Sequence, residues 1–256
     1  MNHNKHKTLE LFNDSYEPGR PNRLCVSLSD IHLTDGTVGY QNLSMEEWES
    51  FYSGLSARCN RNNIEEVSFI LDGDVVDMIR SARWAENGIY PWEREKREDF
   101  SRIVNEIIHD IVDKKHQRFF SWLKDLKKRL VEDTPVKSTE DISIIVILGN
   151  HDKELLRDND ALTYFYNEGL GKSLDNFTVE ERAWIGRMYG NESMFADKQK
   201  APYFPFYYGD RGFRFFTTHG HWRDVTNSRQ IYATRELPGW TCKDGWQNET
   251  WQKLNF

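Results

Sequence analysis

Apolar residues recur along this chain with two spacings, one typical of strands and one typical of helices. Short runs rich in β-branched residues, each bounded by polar or turn-forming residues, predict buried strands. Two later runs, separated by a glycine-containing turn at Gly209–Gly212, predict a hairpin. The predicted strands are residues 23–29, 67–71, 144–148, 203–208 and 213–218.

Helical spacing fills the segments between these strands. Ser44 and Glu47 match a capping box, which predicts that a helix begins there. The longest helical pattern runs from about Glu93 to Val131, and its polar stretch Asp113–His116 predicts a break or bend. Residues 153–200 are expected to form a mostly polar helical insert. The apolar residues of the first helix share one face: Trp48, Phe51, Tyr52 and Leu55.

Strands that alternate with helices predict an α/β fold. We expect residues 1–22 to form an irregular N-terminal tail that ends in a Pro/Gly turn cluster, and residues 23–256 to form a single domain. A chain of 256 residues is long for one domain but common for an α/β domain, and it can bury a sizeable core.

Charge and cysteine content narrow the function classes. The net charge of −7 argues against broad nonspecific binding to nucleic acid, and an acidic protein that handles phosphates needs cations to offset its own field. The chain has three cysteines, an odd number, and they are widely spaced: Cys25, Cys59 and Cys242. This pattern favours a reducing compartment over a disulfide framework. With a polar start and no long apolar run, the chain is expected to be cytoplasmic and not membrane-bound.

Four of the predicted strands are followed by metal-ligand side chains. Since the ends of neighbouring strands lie close together, these side chains are expected to converge on one site. Carboxylate, imidazole and amide oxygen suit divalent Mn, Fe, Zn, Co or Ni, and a carboxylate can bridge two ions. In chain order the motifs are Asp30-Ile31-His32, Gly73-Asp74-Val75-Val76-Asp77, Gly149-Asn150-His151-Asp152 and His219-Gly220-His221.

This order of motifs, over about residues 24–224, resembles the calcineurin-like metallophosphoesterases. The motifs of that family are DxH, GDxxD, GNH followed by D or E, a His usually followed by Gly, and a final GHxH. The resemblance implies an αββα sandwich of mixed β-sheets flanked by helices. It also implies a phosphoesterase that uses two divalent metal ions to activate a hydroxide. That hydroxide hydrolyses a phosphate mono- or diester, or a pyrophosphate, of a small phosphate-ester or nucleotide-type substrate.

The resemblance also implies a role for each motif residue. Asp30 and His32 would bind the first metal, Asp74 would bridge both ions, and Asn150 and His219 would bind the second. The catalytic pair would be His151, which protonates the leaving oxygen or stabilises the transition state, and Asp152, which helps to orient His151. The remaining candidates, each a metal ligand or a residue that orients one, are Asp77 and His221.

The chain departs from the family pattern after His219, where no GHxH follows. We expect the fold to be incomplete at its C-terminus, unless His219-Gly220-His221 is a variant of the final motif. Leu33, Met78-Ile79 and Asp152 replace the residues typical of the serine/threonine protein phosphatases, so the bacterial-type branches fit better. The alternatives are a DNA-repair-type nuclease of the same superfamily and a truncated, catalytically impaired domain with a non-enzymatic role.

Overall fold

The computed structural model describes residues 12–13, 22–39, 43–91, 97–147, 149–172, 208–210, 213 and 215–220. Among the helices in these ranges, none has the length and hydropathy that crossing a bilayer requires. The strands are β1 Phe12–Asn13, β2 Arg23–Leu28, β3 Glu66–Asp72, β4 Ile142–Ile147, β5 Tyr208–Asp210 and β6 Phe215–Thr217. The α-helices are α1 Met45–Arg61, α2 Ala82–Glu86, α3 Arg97–His109, α4 Gln117–Asp133 and α5 Asn159–Tyr164.

Strands β2, β3 and β4 form a parallel sheet with β3 in the centre. The three predicted strands are therefore confirmed, although β4 begins two residues earlier than the apolar run suggested. A short 3-10 turn at Thr139–Asp141 ends where β4 starts. Because the three strands are parallel, their carboxyl ends lie at the same edge of the sheet.

The two faces of this sheet pack against different layers. Phe69 and Leu71 belong to the large core that the helices cover, whereas Ile70 packs with Tyr208 of the second sheet, close to Phe215. Side chains alternate between the faces of a strand, so both faces of β3 are buried and its apolar run is nearly continuous. An α/β fold with a parallel three-stranded sheet flanked by helices is confirmed.

The second described sheet has the order β1-β5-β6, with β5 and β6 antiparallel as expected for a hairpin. The predicted turn was placed too early, because Gly209 and Asp210 belong to β5. The buried Asp210 carboxylate accepts a hydrogen bond of 2.7 Å from Arg23, and this ion pair holds Asp210 within the strand. Phe12–Asn13, inside the segment 1–22, pair with β5, and residues 203–207 lie outside the described ranges.

The helix boundaries follow local chemistry. The capping box is confirmed: Ser44 caps the N-terminus of α1 and its backbone N–H donates to Glu47 at 2.5 Å. The predicted break in the long helical pattern is also confirmed, because a π-helical turn at Asp110–Lys115 separates α3 from α4. His116, just after this turn, donates from Nε2 to the carbonyl of Thr34 at 2.9 Å. The contact of His116 therefore connects the helical layer to the loop that follows β2.

Residues 153–172, from the segment that was expected to be a polar insert, pack into the core. Leu155, Leu156, Leu162 and Phe165 are buried against the helices. Residues 173–200, the rest of that segment, lie outside the described ranges. The segment after β4 therefore supports the sheet from the helical side.

Phe69→Ala is expected to destabilise the protein by roughly 3–5 kcal/mol, since Phe69 is fully buried in the central strand and its loss leaves a cavity. Urea unfolding followed by circular dichroism measures this change. The control is Phe216→Ala, whose side chain is 59% exposed. Equal effects of the two substitutions would contradict the assignment of β3 to the core.

Candidate metal centre

The loops after β2 and β3 run side by side beyond the end of the sheet. The backbone N–H groups of Asp30, His32 and Leu33 donate to the carbonyls of Gly73, Asp74 and Val75, at 3.2, 2.8 and 3.0 Å. These bonds extend the pairing of the two strands past their ends. They bring the side chains of the first two motifs to one place.

The backbone is strained where these loops carry their polar side chains. Four non-glycine residues in the described ranges have positive φ, and three of them are Asp30, His32 and Asp74, at 57°, 52° and 52°. Residues in this region cost free energy and persist where the surrounding structure holds them. The neighbouring hydrogen bonds supply that restraint, and strain of this kind is concentrated at functional sites.

The carboxylate of Asp152 ties the third loop to the second. It accepts hydrogen bonds from the backbone N–H groups of Asp74, Val76 and Gly149 at 2.7, 2.9 and 3.0 Å. Burial, together with the charge of Asp74, raises the pKa of this carboxyl group to about 7, while the backbone donors oppose the rise. The described contacts of Asp152 are with backbone, and its catalytic role stays a prediction.

Asp74 lies in the middle of the cluster. Its Oδ1 accepts the backbone N–H of His151 at 2.8 Å, which leaves Oδ2 for the other side. Oδ2 is 3.2 Å from Nε2 of His219 and 3.7 Å from Nε2 of His32. A single carboxylate oxygen thus lies between two imidazoles, as a ligand shared by two cations would.

Asp77 orients two of the imidazoles. Its buried carboxylate binds Nδ1 of His32 at 3.0 Å and Nδ1 of His151 at 2.8 Å. An acceptor on Nδ1 places the proton there, so Nε2 of each ring is the nitrogen available to a ligand. The hydrogen bond that His32 donates to Asp77 also raises the pKa of His32, whereas burial opposes the rise.

His219 approaches two oxygen atoms that cannot donate a hydrogen bond. Its Nδ1 donates to the carbonyl of Asp72 at 2.8 Å, so a neutral ring has only a lone pair on Nε2. That Nε2 lies 3.2 Å from Oδ1 of Asn150 and 3.2 Å from Oδ2 of Asp74. Burial lowers the pKa of His219, but the hydrogen bond and charge of Asp74 outweigh burial and raise it to about 9. Either a proton or a metal ion must lie among these acceptors.

Two glycines make this approach possible. A Cβ on Gly149 would lie 2.0 Å from Oδ1 of Asp74, and one on Gly73 would lie 2.4 Å from the ring of His219. Gly73 also has φ of +82°, a conformation that side chains rarely adopt. Both glycines of the motifs therefore leave space for ligand side chains.

The side chains form two groups that share Asp74. One group is His32, Asp74 and His151, the other is Asp30, Asp74 and His219, and within each group one ligand atom per residue lies within 4.8 Å of the others. The expected division paired Asp30 with His32 and Asn150 with His219. The structure places Asn150 beside His219, and Oδ1 of Asp30 3.8 Å from Nε2 of His32.

The cluster therefore includes every predicted site residue of the described ranges, and His221 lies outside those ranges. Sequence reasoning missed the carbonyl of Asp72, which orients His219. No side-chain pattern reveals such a contact, because any residue supplies a backbone carbonyl. The donor set fits divalent metal ions: mainly carboxylate oxygens and imidazole nitrogens, with lone pairs that converge.

The sequence profile of the calcineurin-like phosphoesterases matches residues 26–254 of this chain. Among curated proteins and among solved structures, none matches the chain significantly. The matched range contains all four motifs.

Gly149→Ala is expected to abolish metal binding, because the added Cβ would collide with Asp74. Elemental analysis after incubation with Mn²⁺ and gel filtration measures the bound metal per chain. Gly54→Ala, on α1 with nothing within 4 Å of the added Cβ, is the matched control and should keep its metal. Full metal content in Gly149→Ala would show that Asp74 is not a ligand.

Metal affinity is expected to rise with pH between 6 and 9. A pKa of about 9 means that His219 is protonated in the metal-free protein below that pH, so metal binding must displace the proton. Each such proton makes affinity roughly tenfold stronger per pH unit until the pKa is reached. Titration with Mn²⁺ at several pH values tests this slope, which His219→Asn should reduce; a flat profile would contradict the placement of His219.

Proposed function

Because the chain belongs to the calcineurin-like phosphoesterase family, we propose that it is a metal-dependent phosphoesterase. The proposed reaction is hydrolysis of a phosphate mono- or diester, or of a pyrophosphate, with two divalent ions. The observation that carries the proposal is the position of Asp74. Its Oδ2 lies between Nε2 of His32 and Nε2 of His219, at 3.7 and 3.2 Å, where it can serve two ions at once.

The proposed ligands come from the two groups that share Asp74. They are His32 from one group and Asp30 and His219 from the other, and Asn150 adds its Oδ1 beside His219. When bound, the ions supply a nucleophile at neutral pH and positive charge that offsets the phosphoryl oxygens. Carboxylate and imidazole ligands suit Mn, Fe, Zn, Co or Ni.

His151 is the proposed proton donor to the leaving oxygen. Asp77 accepts from its Nδ1 at 2.8 Å, so the proton that the doubly protonated ring gives to the leaving oxygen is the one on Nε2. The His151 ring meets the ring of His32 edge to face, with 4.6 Å between centroids. Asp77 therefore positions both rings, and a shift of its carboxylate would move both together.

The exposed side of the centre lies at Asp30. The side chain of Asp30 is 60% exposed, while those of Asp74 and His219 are 4% and 6% exposed, so a phosphoryl group would enter past Asp30. A small phosphate ester or nucleotide-type substrate fits a chain with a net charge of −7 better than a nucleic acid does. The net charge therefore argues against the alternative hypothesis of a DNA-repair-type nuclease.

Hydrolysis of an aryl phosphate monoester and of an aryl phosphate diester in Mn²⁺ tests the proposal. Asp74→Asn is expected to lose both metal and activity. His151→Gln should keep its metal and lose roughly 10²–10⁴-fold in kcat, the usual contribution of a general acid. His109→Gln is the control, because His109 is an exposed histidine on α3 that pairs with Asp113.

The second candidate is a domain that binds metal but is catalytically impaired. The same assay separates the two. Metal that Asp74→Asn removes, without turnover of either ester by the unmodified protein, would favour the second candidate.

A further inference from the structure

Arg80 is a cation beside the candidate metal centre, and the proposed function gives it no role. Its side chain is 52% exposed, and its Nε lies 3.3 Å from Oδ2 of Asp77. Its backbone N–H donates to Oδ1 of the same carboxylate at 3.0 Å. Asp77 thus holds both the backbone and the side chain of Arg80.

The same carboxylate holds the two imidazoles. Oδ2 of Asp77, which binds Nε of Arg80, is also 3.0 Å from Nδ1 of His32. One carboxylate oxygen and one imidazole ring therefore separate the guanidinium from Nε2 of His32, where a ligand would bind. The Asp77 hydrogen bond raises the pKa of His32, and the positive charge of Arg80 is close enough to oppose that rise.

Other cations of the described ranges near this edge are used differently. Lys153 is buried, with 9% of its surface exposed. Arg83 forms ion pairs with Glu106 and Asp110. In contrast, Arg80 contacts Asp77 through Nε, and half of its side chain is exposed to solvent. Its two terminal Nη groups can therefore reach an anion. A guanidinium whose orientation is already set loses less entropy when it binds.

We propose that Arg80 binds the phosphoryl group of the substrate through its Nη atoms and favours a terminal phosphate over a diester. This inference rests on the proposed function. A terminal phosphate has three unesterified oxygens, whereas a diester has two. At neutral pH the terminal phosphate also carries more negative charge than the diester. The additional cation therefore stabilises the terminal phosphate more. The ligand class is a phosphate monoester or inorganic phosphate.

The test is calorimetric titration of inorganic phosphate into the Mn²⁺-loaded protein. Arg80→Met should weaken phosphate binding roughly 10- to 100-fold, the effect of losing hydrogen bonds to a charged group. Arg80→Lys should fall between Arg80→Met and the unmodified protein, because it keeps the charge but loses the two-pronged geometry. Metal content should be unchanged in both variants.

Arg102→Met is the matched control. The Arg102 side chain is 47% exposed and forms ion pairs with Asp99 and Glu106, three and four residues away on α3. Its loss should leave phosphate affinity unchanged. If Arg80→Met loses metal, the phosphate affinity of Arg80→Lys becomes the test, because that variant keeps a cation beside Asp77.

Three results would overturn the inference. They are phosphate affinity within twofold in the Arg80 variants, a loss of affinity that only follows a loss of metal, and no phosphate binding by the unmodified protein. Hydrolysis assays separate this inference from the proposed function. Arg80-dependent phosphate binding without ester hydrolysis would refute only the proposed function, and hydrolysis with an Arg80-independent KM for the monoester would refute only the role of Arg80.

Discussion

The candidate site depends on one buried carboxylate that holds three backbone N–H groups. Asp152 accepts from Asp74, Val76 and Gly149, so it ties the loop after β4 to the loop after β3. Buried donors without an acceptor are costly, and the strained φ of Asp74 needs an external restraint. The position of Asp74 between two imidazoles follows from this restraint.

Two neighbouring aspartates of the same motif have different tasks because of where the backbone places them. Asp74 directs one oxygen to the backbone of His151 and the other to the space between His32 and His219. Asp77 faces the Nδ1 atoms instead. Burial raises the pKa of Asp77, but the hydrogen bonds of His151 and His32 lower it well below its usual range, so it stays ionised. One carboxylate faces the space between two imidazole Nε2 atoms, and the other sets the imidazole tautomers.

The helical layer also contributes to the position of the site. The π-helical turn before α4 brings His116 to the carbonyl of Thr34, just after the first motif. Burial lowers the pKa of His116, so the ring is neutral and donates a single hydrogen bond from Nε2. A break in a helix, far from the motifs in sequence, therefore restrains the loop that carries Asp30 and His32.

The sequence by itself determined strands β2, β3 and β4, the capped first helix, the break before α4 and the motif residues. Each depends on local periodicity or on side-chain chemistry next to a strand end. It misplaced the hairpin turn, because the long-range ion pair of Asp210 with Arg23 keeps Gly209 and Asp210 in β5. It also missed the core packing of residues 153–172, where Leu155, Leu156, Leu162 and Phe165 lie among charged and polar residues.

Only the tertiary structure decided which candidate ligands lie close together and which contacts orient them. The proximity of Asp30 to His219, the carbonyl of Asp72 behind His219 and the contact of Arg80 with Asp77 depend on backbone positions. The close approach of Gly73 to His219 and of Gly149 to Asp74 also depends on backbone positions. Residue identity restricts which atoms can bind a cation, whereas the distances between those atoms arise only when strand ends far apart in the chain meet at one edge of a sheet.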